Sequence, residues 1–598
     1  MVPLTGRSIS RARLLSGIAL GVLAVAGTAG TGTAWADQID AGDPDWSLRW
    51  DNTLKYSNAF RVGSFDPAVG GNFQPLNSNV NDGDRNFRKG LISNRVDILS
   101  EFDAVYQEHT GFRLSAAAWY DTVYNQSTTN HDPTSTNNAF EGVNQFPQGT
   151  RVLHGKDVEV LDALVFHTFE LPSEQALTVR VGRFSQLYGE TLFMGANGIA
   201  AAQAPIDVVK ALSVPNSQFK EIMLPVGQAS FNWELGHGLL LGGYYQFEYR
   251  PDRLPGVGSY FSDADVFGAG AETLWPPGQF AGAVPGLYFA HGKDLMPDSQ
   301  GQGGAELRWK ATKNWEFGLY FANYHEKDPA ADYLIETGVA PVTFGDGVSA
   351  LRIGNFRTAY NQNVQTYGAS FATAVGDTNV SGEISFRHNQ SLATADSAGG
   401  NGGIIFANGS SDNLSSTRYL RGDTLHANIS AISLLTENGI WDGASIVGEL
   451  GFNHLLDILN KGDKATVLGP GGVLFADSTM SLNPTSTRSA LAARAVFEPS
   501  FFQVMPNLDV TTPIGLGYGL YGRSALGSHI GNFNAQNVGD LSLGVKGKYD
   551  NVWNVSLTYT SYFGPKGQPT AGGAARYLSY AQDLHDRDFI AFSLSRTF

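Results

Sequence analysis

Residues 46–56 read Trp46-Ser47-Leu48-Arg49-Trp50-Asp51-Asn52-Thr53-Leu54-Lys55-Tyr56. In an extended chain successive side chains point to opposite faces. Trp46, Leu48, Trp50, Leu54 and Tyr56 therefore share one face, and Ser47, Arg49, Asp51, Thr53 and Lys55 the other. The period is two, that of a strand with one apolar and one polar side, not the 3.6 of a helix. The pattern recurs. Phe112, Leu114, Ala116, Ala118 and Tyr120 alternate with Arg113, Ser115, Ala117, Trp119 and Asp121; Leu239, Leu241, Tyr245, Phe247 and Tyr249 alternate with Gly242, Gln246, Glu248 and Arg250. Similar segments start near residues 46, 92, 112, 160, 176, 228, 239, 304, 315, 364, 379, 424, 445, 489, 513, 540, 553 and 588. They predict an all-β chain of about 18 strands. Boundaries read this way hold to about 2 to 4 residues, which leaves room for 14 or 16.

The links between these segments alternate in length. Short ones occupy residues 107–111, 171–175, 236–238, 311–314, 375–378 and 550–552, with two somewhat longer ones near Thr436 and Pro499. Long segments lie between them, including 58–90, 251–303, 326–363 and 389–423. Short periplasmic turns, long external loops and an even strand number are the layout of a transmembrane antiparallel β-barrel. A soluble multi-domain β protein has no reason to alternate its links in this way. Nor does it need aromatic residues at strand ends, such as Trp315, Tyr549 and Trp553, where a barrel has interfacial girdles.

Composition agrees. The 598 residues include 36 Phe, 23 Tyr and 10 Trp, yet no run of about 20 apolar residues follows residue 36, so helical membrane spans are excluded. Arg7, Arg11 and Arg13 precede the apolar run 14–26, and Ala34-Trp35-Ala36 forms a small-x-small cleavage site. Residues 1–36 are expected to be a cleaved signal peptide, and 37–598 an outer-membrane barrel. Loss of those three arginines takes the formal charge from −16 to −19, which argues against nucleic-acid binding. With no cysteine there is no disulfide framework, and the strand ladder must supply the stability. Residues 588–598 place Ile590, Phe592, Leu594 and Phe598 on one face and end on an aromatic. This resembles the terminal strand by which barrel-assembly machinery recognises its clients. Arg596 departs from it, standing where an apolar residue is usual.

Several stretches resemble a bacterial outer-membrane family known as domain of unknown function 1302. They are Asp84-Arg85-Asn86-Phe87 with Ser93-Asn94-Arg95; Arg180-Val181-Gly182-Arg183 leading to Gly189-Glu190-Thr191; Pro205-Ile206-Asp207-Val208; Phe219-Lys220-Glu221-Ile222-Met223-Leu224-Pro225; and the ending from Asp586-Arg587-Asp588-Phe589 to Phe598. The likeness covers essentially the whole mature chain. It implies a barrel whose gene often neighbours those of a periplasmic partner family, domain of unknown function 1329, and of transporters of the resistance-nodulation-division type. It also implies envelope transport of an apolar molecule, and it assigns no site residue.

Catalytic motifs are missing: there is no G-x-S-x-G elbow, H-E-x-x-H helix or P-loop. No cofactor is indicated, and the scattered histidines predict no transition-metal site. The segment from Asn79 to Asp84 crowds oxygen ligands as a calcium loop would, but it lacks the twelfth-position Glu of an EF-hand and is most simply a turn. Residues 398–411, rich in Gly, Asn and Ser, read as an external loop.

Residues 184–225 carry Phe193, Met194, Ile199, Ala200, Ile206, Val208 and Val209, more apolar surface than a free loop would show to water. They are expected either to fold into the barrel and narrow its lumen, with Asp207, Lys210, Lys220 and Glu221 touching the polar wall, or to cap the mouth. Charged residues facing lipid cost about 2 to 4 kcal/mol for Arg or Lys, so Arg95, Asp97, Glu101, Asp103 and Arg180 should face the lumen. Arg183 and Glu190 join them as candidates for setting selectivity. The expected function is a channel for small hydrophobic compounds, passive or ligand-gated. The alternatives are a closed barrel acting as outer-membrane partner of an export complex, and an outer-membrane hydrolase.

Overall fold

The computed structural model describes residues 37–598 except 71–78, 81, 133–135, 174, 215–218, 276–286, 330–332, 344–348, 397–403, 407–418, 469–473, 528–531 and 572–576. The expected leader and most of 398–411 lie outside the described residues.

Eighteen strands close into one antiparallel barrel: β1 (Trp46–Arg61), β2 (Gly90–Tyr106), β3 (Thr110–Asp121), β4 (Lys156–Leu171), β5 (Gln175–Phe184), β6 (Val226–Gly236), β7 (Leu239–Gln246), β8 (Gln302–Lys310), β9 (Trp315–Tyr324), β10 (Val364–Val375), β11 (Thr378–Ser391), β12 (Arg421–Leu435), β13 (Gly443–Ile458), β14 (Ser489–Met505), β15 (Ile514–Tyr521), β16 (Gly539–Tyr549), β17 (Trp553–Phe563) and β18 (Phe589–Thr597). Each starts within four residues of its expected position. Two further strands belong to the same sheet. Asp37–Ile39 pairs with the start of β1, and Leu508–Thr511 precedes β15, the pair being interrupted where Pro513 has no amide hydrogen to give. Closure is made by β1 against β18, from Thr53 opposite Thr597 to Arg61 opposite Phe589, so every stave has two neighbours.

Two expected boundaries shift. The turn placed near Pro499 lies at Pro506 and Asn507, because β14 runs on to Met505 and the Pro499 carbonyl still accepts Thr512 N. The alternation running to Tyr249 leaves the ladder after Gln246. Turn chemistry explains the tight links: Asp550 and Asn551 both hold positive φ, 50° and 59°, as a right-twisted hairpin requires.

The period of two separates the wall's faces. Ile384, Ile429 and Leu450 are exposed on the outside, while Glu383, Asn428, Ser430 and Glu449 beside them are buried inside. Apolar residues exposed along every stave suit hydrocarbon, not water. Among the described residues no helix is long and apolar enough to cross a membrane. At the short-turn end aromatics gather, as Trp46 with Tyr106 at 5.1 Å and Trp315 with Phe317 at 5.8 Å between ring centroids. Arg596 sits here on the outer face, 5.2 Å above the Trp553 ring, which accommodates its departure from the usual terminal strand. At the other end the long loops form a second, eight-stranded sheet centred on Tyr333–Thr343 and Ser349–Thr358.

Candidate functional site

Between β5 and β6 the chain leaves the wall and crosses the lumen to β11–β13. Two inward carboxylates receive it. Glu449 accepts Thr191 Oγ1 at 2.8 Å, Phe193 N at 2.5 Å and Met194 N at 2.9 Å; Glu383 accepts Glu190 N at 2.6 Å and Ile199 N at 2.9 Å. Arg387 donates to the Ala196 and Gly198 carbonyls at 3.0 and 2.7 Å. Asn197 Nδ2 donates to Asn428 Oδ1 at 2.7 Å, and Asn197 Oδ1 accepts Asn453 Nδ2 at 3.2 Å. The approach is close enough to need glycine: a Cβ at Gly198 would collide with the Glu383 carboxylate. Glu383, Arg387, Asn428 and Glu449 are not singled out by the sequence; the available clue was that Glu383, Arg387 and Glu449 are charged at inward parity.

The rest of the segment is a two-faced divider. Its helices are α1 (Val208–Ser213), capped by Asp207, and α2 (Phe219–Ile222). Val208, Ala211 and Leu212, at helical spacing, join Phe219 and Phe533 on the apolar side of a cavity of about 240 Å³ whose lining also includes Arg494, Asp540 and Gln582. Asp207, Lys210, Lys220 and Glu221 face the other way, into a chamber of about 1180 Å³ walled by β1–β5 and β16–β18. Ile222 and Phe261 line both cavities.

The chamber's wall carries a charge ladder. Arg95 pairs with Asp97 at 2.6 Å, and Arg113 lies 2.7 Å from Glu101, 3.6 Å from Asp103 and 3.8 Å from Asp162. Among the described residues Lys55, Arg180, Lys210 and Lys220 line the chamber and take part in no ion pair.

Of the residues chosen from sequence, Arg95, Asp97, Glu101, Asp103, Arg180, Asp207, Lys210, Lys220 and Glu221 come together here. Two do not. Arg183 is three residues beyond Arg180 and so has the opposite parity; it stands on the outer face with Val181, 3.8 Å from Glu248. Glu190 lies on the far flank, 3.7 Å from Arg308. Nor are the expected wall contacts made by Asp207 and Lys210. Asp207 pairs with Arg253 at 2.7 Å, a loop residue, and Lys210 Nζ donates to Glu221 O at 2.8 Å.

External loops roof the chamber. His154 accepts Gly256 N at 3.0 Å through Nε2 and stacks on Tyr124 at 4.7 Å, and burial with the Arg95 and Arg253 charges pushes its pKa down to about 3. Above it Arg61 bridges Asp84 at 3.2 Å and Asp586 at 2.8 Å, while Arg587 bonds Asp84 at 3.1 Å and donates to Tyr260 O at 2.7 Å. Phe87 packs on Tyr260, ring centroids 5.5 Å apart. The stretches around Asp84 and Asp586, about 500 residues apart, thus form one lock.

Comparison with solved structures finds the crystal structure of Acinetobacter baumannii OccAB4, at 10% identity over 92% of this chain and 98% of that one, TM-score 0.39. It also finds Pseudomonas aeruginosa OpdK with vanillate, at 10% identity over the same shares, TM-score 0.38, and Pseudomonas aeruginosa OccK8 (OprE), at 9% identity over the same shares, TM-score 0.38. Likenesses this distant assign nothing to this chain. No curated protein matches the sequence. The family described as "Protein of unknown function (DUF1302)" matches residues 15–598, nearly the whole chain, and the protein belongs to that family.

Proposed function

We propose that the protein is an outer-membrane channel for small hydrophobic compounds, and that the divided lumen is its path. The observation that carries this reading is the divider: one segment turns an apolar face to the 240 Å³ cavity and a charged face to the 1180 Å³ chamber, and the two spaces share Ile222 and Phe261. An apolar solute reaching the mouth has the apolar side of the smaller cavity, whose volume is somewhat below the about 300 to 1000 Å³ common for small ligands, then a wider chamber whose wall offers Ile92, Leu164 and Phe592 beside the charge ladder. Passage is passive, in keeping with a sequence that carries no P-loop, and gating falls to the lock at Arg61 and Arg587. The terminal strand supports delivery by barrel-assembly machinery, and the polar short-turn mouth would hand solute to a periplasmic partner and an inner-membrane transporter.

Purified protein in liposomes tests the reading. With lipopolysaccharide in the outer leaflet to slow unaided uptake, entry of the apolar fluorophore 1-N-phenylnaphthylamine should exceed that into protein-free vesicles, and Phe219→Arg, which puts a charge on the apolar side of the smaller cavity, should abolish the excess. Equal entry through the variant sinks the role of that cavity. The buried lock over the mouth favours a second reading, a closed barrel that anchors an export complex. That reading predicts no excess entry at all and capture of periplasmic partners instead.

A further inference from the structure

The chamber wall is not paired along its whole height. On its β3 side β4 is laddered from Thr110 opposite His167 to Tyr120 opposite Lys156. On its β5 side the ladder stops at Ala163 opposite Arg183, because the chain turns into the lumen after Phe184. Residues 156–162 therefore have a strand on one side only. Among the described residues no other backbone takes the missing place: Val158 N donates to the Asp157 carboxylate at 2.9 Å, and Val160 O accepts Arg183 Nη1 at 3.2 Å. A neighbouring step in the wall shows the contrast. There β2 outruns β3 beyond Arg95 opposite Asp121, yet Thr122 N donates to Asn94 O at 3.0 Å and Ser93 Oγ to Asp121 at 2.6 Å, which sews the step shut.

At the open edge of β4 lies a cavity of about 650 Å³. Three successive residues, Asp157, Val158 and Glu159, line it, as an edge allows and a fully paired stretch does not, since successive side chains on a strand face opposite sides. Val152 and Val158 show it apolar surface and are 40% and 41% exposed. Trp119, Leu153, Glu159 and Arg253 line both this cavity and the chamber, so the two spaces meet through the wall. Unpaired backbone is costly against lipid and is tolerated where it lines a cavity.

Two arginines of the loop after β7 bar the gap. Glu159 accepts Arg250 at 2.5 Å and Arg253 beside it; Arg253 reaches on to Asp207 at 2.7 Å and lies 5.9 Å over the Trp119 ring. The backbone takes part as well. Arg253 N donates to Ile206 O at 2.9 Å and its carbonyl accepts Val208 N at 3.0 Å, so the strap that bolts the edge also holds the start of the divider.

We propose that the gap between β4 and β5 is a lateral portal, through which an apolar solute in the chamber passes into the hydrocarbon of the outer leaflet. The portal presupposes the channel proposed above and gives its chamber a second exit beside the polar short-turn mouth. Passage from a charged, wet chamber into hydrocarbon takes apolar surface out of water and so runs downhill for such a solute.

Because the chain has no cysteine, the gap can be plugged after the barrel has assembled. In Val158→Cys, benzophenone-4-maleimide should remove the excess entry of 1-N-phenylnaphthylamine into the lipopolysaccharide-bearing liposomes. The same adduct on Val165→Cys, farther along the outer face of β4 and 59% exposed, should leave entry unchanged. Arg250→Ala withdraws one arm of the bolt and should raise entry about fivefold. Full entry after modification of Val158→Cys, with the excess present beforehand, overturns the portal and leaves the channel standing. Equal loss at both positions overturns it too, since bulk on the lipid-facing side alone would then suffice. No excess before modification overturns the channel itself and the portal with it, and an Arg250→Ala chain no faster than the parent overturns the bolt.

Discussion

The two halves of the lumen rest on the same strand pattern and treat the incoming segment differently. On β11 and β13 the inward carboxylates Glu383 and Glu449 form no ion pair among the described residues, and they draw donors from the backbone of 190–199. On β2–β4 the carboxylates at 97, 101, 103 and 162 already have Arg95 or Arg113. Among the described residues those carboxylates pair with wall arginines and not with the crossing segment, the loop residues Arg250 and Arg253 reach the wall at Glu159, and the chamber stays open. The pairing state of the wall charges, more than the strands that carry them, decides where the barrel fills.

The largest effect should come from Glu383→Ala with Glu449→Ala. Five donors lose their acceptor, and bonds to charged groups are worth about 1.5 to 3 kcal/mol each, so the segment should leave the wall and single-channel conductance in planar bilayers should rise several-fold. Unchanged conductance would break the comparison on its filled side. Arg113→Gln attacks the open side by leaving Glu101, Asp103 and Asp162 without their cation. Conductance should stay within about twofold, as such surface-accessible charges contribute little to structure, while cation preference measured by reversal potential increases. A drop to near closure would mean that the ladder holds the wall apart.

A smaller effect sharpens the account of the roof. His154 has a folded pKa near 3, below the unfolded value, so its contribution to stability is complete above about pH 6.5 and is lost as pH falls toward 3. Each unit below 6.5 removes up to about 1.4 kcal/mol, and hydrogen exchange in residues 148–155, once corrected for the intrinsic slowing of exchange at lower pH, should accelerate between pH 6.5 and 5. In His154→Gln that acceleration should vanish. Arg596→Ser should matter least, costing about 0.5 to 1 kcal/mol in urea unfolding through loss of its contact with Trp553, with conductance untouched.

The barrel is legible in the sequence because period-two alternation and link length are local properties; even β3, with Trp119 at inward parity, reads correctly. Arg183 could have been placed by parity alone. Glu383 and Glu449 could not, since their partners lie about 190 to 260 residues earlier and only closure of the barrel brings them face to face. The lock is hidden for the same reason. Asp84 and Arg587 stand in two stretches that the sequence singles out, yet nothing local says that they meet. The apolar excess of 184–225 is plain in the sequence, but its charges turn toward the chamber and a loop arginine because α1 presents its apolar face to the other cavity.

Cysteine accessibility tests the divided lumen most directly, because the chain has no cysteine of its own. Single cysteines at Thr178 and Ser593, on the chamber wall, should react with a small charged thiol reagent in intact outer membranes. Cysteines at Ser385 and Ser430, 2% and 3% exposed beneath the crossing segment, should stay unlabelled until Glu383 and Glu449 are replaced. Equal labelling at all four positions in the otherwise unaltered protein would contradict the account, since the segment would then not fill that half of the barrel.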